Sequence, residues 1–238
     1  MGRAFEYRKE KKMKRWASMA RTFTKIGREI AIAVKEGGGV PENNPRLRMA
    51  MQNAKTANMP KANVDSAIKR ALSKDAANYD EMLYEGYGPG GVAVLVETAT
   101  DNTNRTVASM RLYFSKGGGN LGNSGEVSYM FGRKGQFKIK AEGVDTEELE
   151  LGLIDFGLED MHPEDEHWVL TCAFEDFGSL QKGIEEMGLE VESAELVRIP
   201  SHTKQLNEEQ VEAMIKLIDK LEDDEDVVNV FHNMDMSE

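Results

Sequence analysis

The last stretch of regular structure in this sequence has no partner beside it. Residues 208–221 read as a helix and residues 227–231 as a strand. One helix and one strand cannot bury an apolar face by themselves, so they must complete a layer begun elsewhere. Upstream, residues 82–87 and 92–98 read as strands around the turn Gly88-Pro89-Gly90-Gly91. Residues 103–116 follow as a helix, with Val107, Met110 and Phe114 on one side, and residues 126–131 as a strand. That set has room for one more helix and strand. The pattern predicts that residues 200–238 return to the sheet of residues 79–132, with residues 133–199 as a domain inserted into it. A linear order of three domains is the alternative. The inserted segment reads as strand 136–140, helix 146–156, strand 168–174, helix 178–187 and strand 191–199.

The first 78 residues follow a different period. Met13, Trp16, Ala20, Phe23, Ile26, Ile30 and Val34 recur in steps of three and four, one apolar stripe of a helix. Gly37-Gly38-Gly39 stops it. Asn44-Pro45 supplies an N-cap and a first-turn proline for a second helix with Leu47, Met51 and Ala54 on one side. Asn58-Met59-Pro60 restarts the chain, and Val64, Ile68, Ala71 and Leu72 mark a third helix. The expectation is a bundle of three short amphipathic helices, residues 1–78, ahead of two α+β domains of the ferredoxin-like kind.

Charge divides at the same place. The net charge of −12 over 238 residues conceals 18 Lys+Arg against 7 Asp+Glu in residues 1–78, or +11, which leaves 12 against 35, or −23, in the rest. A basic segment on an acidic body is the footprint of a polyanion partner met by the segment alone. Lys14, Arg21, Lys25, Arg28 and Lys35 fall together opposite the apolar stripe, and Lys11, Lys12 and Arg15 add charge beside them. Like charges at helical spacing repel one another. A phosphate backbone would relieve that repulsion and release counterions. Arg46, Arg48, Lys61, Lys69 and Arg70 could widen the same surface, or be ordinary charges of short helices. Trp16 and Phe23 lie on the apolar stripe, which favours packing over base stacking.

The run GGGNLGNS (117–124) fits both G-x-G-x-x-G and a Walker loop lacking its lysine. Both phosphate motifs require strand, loop, helix, because the helix N-terminus supplies amides and positive dipole. Here the glycines follow a helix, whose C-terminus offers carbonyls. The reading is a glycine C-cap, not a nucleotide site. His162 and His167, among Asp160, Glu164, Asp165 and Glu166, read as a solvated acidic loop rather than a metal centre. Cys172, the one cysteine, reads as a small buried hydrophobe and excludes any disulfide within the chain. The run Glu222–Asp226 lacks EF-hand spacing. No catalytic motif, metal site or cofactor loop emerges. No apolar run reaches membrane-spanning length, so the expectation is a cytoplasmic protein without a membrane partner.

Several long stretches resemble the YebC/PmpR family. They are FTKIGREI (23–30), GGGVPENNPRLRMAMQNAKTANMPK (37–61), AIKRA (67–71), YEGYGPGGVAVLVETATDNTNRTV (84–107), FSKGGGNLGNSGEVSYMFGRKG (114–135) and LNEEQVEAMIKLIDKLEDDEDVVNVFHNMD (206–235). The resemblance implies an N-terminal helical domain plus two α+β domains, one inserted in the other. It implies a regulator of gene expression without catalytic residues. One branch of the family is described as DNA-binding transcriptional regulators. Another, including a mitochondrial activator of translation, resembles ribosome-associated factors. The partner expected for the basic segment is therefore DNA or ribosomal RNA, with the ribosome or another protein against the acidic body. The extreme N-terminus departs from the family opening GHSKWANIKHRK. Here it reads GRAFEYRKEKKMKRWASMAR (2–21).

Overall fold

The apolar stripe of the first helix underestimates its length. In the computed structural model α1 runs Arg3–Gly37, 35 residues rather than a short helix. The reason lies in composition: between residues 3 and 36 there is no proline and only Gly27, and most positions are strong helix formers. The structure describes residues 3–73, 76–143 and 145–235, with side chains from residue 19 onward. Lys11, Lys12, Lys14, Arg15 and the stripe residues Met13 and Trp16 lie outside the described side chains. α2 (Pro45–Thr56) and α3 (Lys61–Ala71) complete the first unit, residues 1–77. Ile26, Ile30, Ala33 and Val34 of α1 meet Leu47, Ala50 and Ala54 of α2 and Val64, Ala67 and Ala71 of α3 in one core. Many of these are alanines, so the helix backbones approach closely.

The second unit, residues 78–238, holds two four-stranded sheets. β1 (Asp80–Tyr87) and β2 (Ala93–Thr100) form a hairpin through a tight turn at Pro89–Gly91, where Gly90 and Gly91 take φ of 69° and 74°. α4 (Thr103–Lys116) and the two-residue β3 (Asn120–Leu121) follow. From the far end of the chain come α7 (Glu208–Glu222) and β8 (Val227–His232). The order is β3-β1-β2-β8, every neighbour antiparallel. Val92, Val94 and Val96 face Met110 and Phe114 of α4 and Met214, Leu217 and Leu221 of α7. The opposite face buries Ala93 and Leu95 against Val127 and Phe131. A sheet covered on both faces explains why residues 92–96, VAVLV, read as an unbroken apolar run.

The second sheet is built from β4 (Phe131–Lys140), α5 (Thr146–Ile154), β5 (Leu158–Glu164), β6 (His167–Ala173), α6 (Phe177–Glu186) and β7 (Val191–Pro200). Its order, β5-β6-β4-β7, is the ferredoxin-like arrangement, again antiparallel throughout. Phe137 stacks on Phe177, ring centroids 4.6 Å apart, to seat α6 on the sheet. The architecture is α+β.

Two expectations are corrected. Residues 126–130 are not a strand. They form a loop ending in a helical turn at Ser128–Met130, and one strand then runs unbroken from Phe131 to Lys140, across the line drawn between residues 132 and 133. The cause is Glu85, whose carboxylate collects the amides of Gly125, Val127 and Ser128 and takes them out of any ladder. Residues 160–167 are not a loop but a hairpin, β5 to β6, turning at Asp165 with φ of 53°. Its charges are met across strands: Lys138 pairs with Glu164 at 2.8 Å, Lys134 with Glu159, and His167 with Glu192.

Candidate nucleic-acid interface

The first unit presents the basic residues, and their placement follows from how its helices are locked. Asn44 is 4% exposed. Its Oδ1 accepts from the Leu47 amide at 3.0 Å, capping α2. Its Nδ2 donates to the carbonyls of Ala33 at 2.7 Å and Gly38 at 2.9 Å, the end of α1 and the glycine turn beyond it. A single side chain thus ties two helix ends. Gly37 is glycine because a Cβ there would stand 2.7 Å from Asn44 Nδ2. Between α2 and α3, Asn58 takes φ of 55°. The Met59 amide reaches the Ala54 carbonyl at 2.8 Å and the Asn58 amide reaches Lys55 at 3.0 Å, a Schellman end to α2.

The sequence-selected cations separate in this frame. Arg21, Lys25 and Arg28 lie along α1, each half-buried. Lys35, placed with them by helical spacing, points its Nζ at the carbonyl of Ala77, 2.7 Å away, and holds the chain leaving the unit. Arg46 pairs with Glu36 at 2.8 Å. Arg48 donates to the carbonyls of Pro41 and Glu42 at 3.0 and 3.1 Å, closing the turn before α2. Lys61, Lys69 and Arg70 are exposed on α3. Phe23 is half-buried. The holding roles of Lys35, Arg46 and Arg48 depend on carbonyls and a carboxylate brought in by tertiary folding, which helical spacing does not reveal.

The glycine run has the geometry of a closed turn. The amides of Gly117 and Gly119 return to the carbonyls of Tyr113 and Phe114, at 2.8 and 2.9 Å, capping α4. The Gly122 amide bonds the Glu85 carbonyl at 2.8 Å, and the Asn123 amide bonds the Glu126 carboxylate at 2.8 Å. Glu85 itself is 3% exposed. Burial pushes its carboxyl upward, but the amides of Gly125, Val127 and Ser128 outweigh that and leave it below the ordinary range. These donors are spent on carbonyls and two carboxylates, so a phosphate would meet negative charge where it needs amides. Cys172 is buried, and burial pushes its thiol up to about 11, far from a nucleophile's range. Among the described residues no group of three or more His, Cys, Asp or Glu could hold a metal, and no helix is long and apolar enough to cross a membrane.

Both units match one family along their length. Residues 3–74 match the N-terminal domain of TACO1/YebC proteins, and residues 79–234 match their second and third domains. The chain belongs to the TACO1/YebC family. It is 57% identical over 235 residues to a probable transcriptional regulatory protein of Parabacteroides distasonis, covering 98% of this chain and 97% of that one. It is 54% identical over 234 residues to another of the same description from Flavobacterium johnsoniae, covering 98% and 99%. Among solved structures, a conserved hypothetical protein from Aquifex aeolicus superposes with a TM-score of 0.82 at 42% identity, covering 92% of this chain and 91% of that one. The family match spans the helical unit and both sheets.

Proposed function

We propose that this member of the TACO1/YebC family is a non-enzymatic regulator of gene expression that binds nucleic acid through its first 78 residues. The observation that carries the reading is the segregation of charge, +11 in that segment against −23 in the remainder. A polyanion is drawn to the helices and repelled by the sheets, which orients the encounter before any contact forms. The relatives' description as probable transcriptional regulatory proteins favours DNA as the target. A second reading, a ribosome-associated factor binding ribosomal RNA, is favoured by the acidic body, which suits one-sided docking on a large RNA particle. The spent amides of the glycine run and the raised Cys172 thiol both argue against an enzyme.

The test is the triple substitution Lys14→Glu, Arg21→Glu, Lys25→Glu. It is expected to abolish binding to duplex DNA, or co-sedimentation with ribosomal particles, while circular dichroism stays normal. Binding that survives undiminished in both assays refutes the reading. Nuclease-sensitive migration with ribosomes would select the translational branch. Salt-steep binding to duplex DNA by a protein that stays at the top of the gradient would select the transcriptional one.

A further inference from the structure

The cations of the helical unit differ in what their charged ends touch. Lys35 donates to the Ala77 carbonyl, Arg46 to the Glu36 carboxylate and Arg48 to the Pro41 and Glu42 carbonyls. α3 is arranged otherwise. It buries Val64, Ala67 and Ala71 and exposes Lys61, Asp65, Ser66, Lys69 and Arg70. Among the described residues no ion pair holds Lys61, Lys69 or Arg70, although Asp65 stands one helical turn from both lysines. The residues between the cations are short. Ala62 has no polar atom to offer, and the Ser66 hydroxyl is turned back onto the Ala62 carbonyl at 2.6 Å. Lys61 also occupies the first turn, where no acidic residue balances the helix dipole, an unfavourable place for a lysine in an isolated helix. At 1.5 Å rise per residue, Lys61 and Lys69 are ~12 Å apart along the axis, comparable to the width of a duplex major groove.

We infer that α3 is the helix laid against the nucleic acid, with Lys61, Lys69 and Arg70 contacting the phosphodiester backbone, and that Lys35, Arg46 and Arg48 are positioning residues. The inference rests on the nucleic-acid reading above and deepens it. The short side chains between the cations let the helix approach the backbone closely. Arg46 and Arg48 tie α2 to the end of α1 and to the turn before α2, and Lys35 holds the chain that leaves α3.

The decisive quantity is the salt dependence of binding. Full-length protein is titrated against a duplex DNA oligonucleotide and, separately, purified ribosomal RNA, each at several salt concentrations. The triple substitution Lys61→Gln, Lys69→Gln, Arg70→Gln is expected to lower the slope of log K against log salt by about 2.7 on duplex DNA, at ~0.9 for each phosphate no longer neutralised. Its melting curve should stay unchanged, because all three side chains are exposed. The polymer on which the slope falls names the source of the phosphates. The double substitution Arg46→Gln, Arg48→Gln is expected to lower the melting temperature and keep the slope. An unchanged slope in the α3 variant on both polymers, while Lys14→Glu, Arg21→Glu, Lys25→Glu abolishes binding, overturns the inference and leaves the wider reading standing. Binding undiminished in both triple variants overturns both.

Discussion

Asn44 is the side chain whose loss should be felt most sharply by the helical unit. Asn44→Ala removes an N-cap, which costs about 1 kcal/mol. It also removes two donated hydrogen bonds, to Ala33 and Gly38, at about 1 kcal/mol each in a buried setting. The sum is about 3 kcal/mol. For a cooperative unit of this size that corresponds to a fall in melting temperature of roughly 12–24 °C. Asn44→Asp separates the two functions. Aspartate is as good a cap as asparagine for the Leu47 amide, but it brings carboxylate oxygens, not donors, to two carbonyls. It should therefore destabilise at least as much as alanine. The assay is hydrogen exchange of the full-length protein. Peptides covering residues 33–50 should lose protection in both variants, while those covering residues 80–100 keep theirs. An Asn44→Asp protein as protected as the parent would show that capping alone explains the residue and would refute the double-tie argument. A loss below about 1 kcal/mol in Asn44→Ala would do the same.

Two further predictions concern the sheets. Glu85 has a folded-state pKa below its ordinary value, so its stabilisation is fully present above the ordinary carboxylate pKa and is lost as pH falls through the folded value. Glu85→Gln should therefore destabilise the body on the order of 3 kcal/mol at neutral pH. The gap to the parent in urea unfolding should narrow as pH falls below the ordinary carboxylate value; a gap independent of pH would refute the assignment. Asp226, 4% exposed, accepts from Thr100 and Thr106 and pairs with Arg105 at 2.8 Å, fastening the start of β8 to α4. Asp226→Ala should cost about 3 kcal/mol in urea unfolding, Arg105 being half-exposed. A cost within about 0.5 kcal/mol, the usual range of a surface substitution, would mean the fastening is unimportant.

The parts of the fold legible in the sequence were those decided locally. The stripe Ile26, Ile30, Val34 announces a helix, and Asn44-Pro45 announces the start of the next, because period and cap chemistry lie within a few residues. Residues 126–130 were not legible as a loop, because the group that bends them is Glu85, some 40 residues earlier. The hairpin at 158–173 was obscured because β5 is an edge strand whose Glu159, Asp160, Pro163 and Glu164 mask the alternation. Its neutralising partners sit on other strands, as Lys138 does for Glu164. In the candidate interface, composition pointed to the basic unit as a whole. It could not separate Lys35, which reaches Ala77, from Lys69, which faces outward, since both occupy helical positions free of local conflict.

The glycine run shows why a spacing pattern is not a site. A phosphate loop and this loop share glycines, amides and a neighbouring helix. They differ in which end of the helix is near and in what the amides already hold. Here α4 contributes its carbonyl end, and its last carbonyls are satisfied by Gly117 and Gly119. The Gly122 amide takes the Glu85 carbonyl, the Asn123 amide takes the Glu126 carboxylate, and the amides of Gly125, Val127 and Ser128 take the Glu85 carboxylate. The loop has in effect internalised its anion as a side chain. That fixes the junction between the two sheets, since Val127 and Phe131 are carried from this loop into the core beneath Leu95. A glycine pattern that binds its own glutamate spends on folding the interaction that a nucleotide enzyme keeps for its substrate.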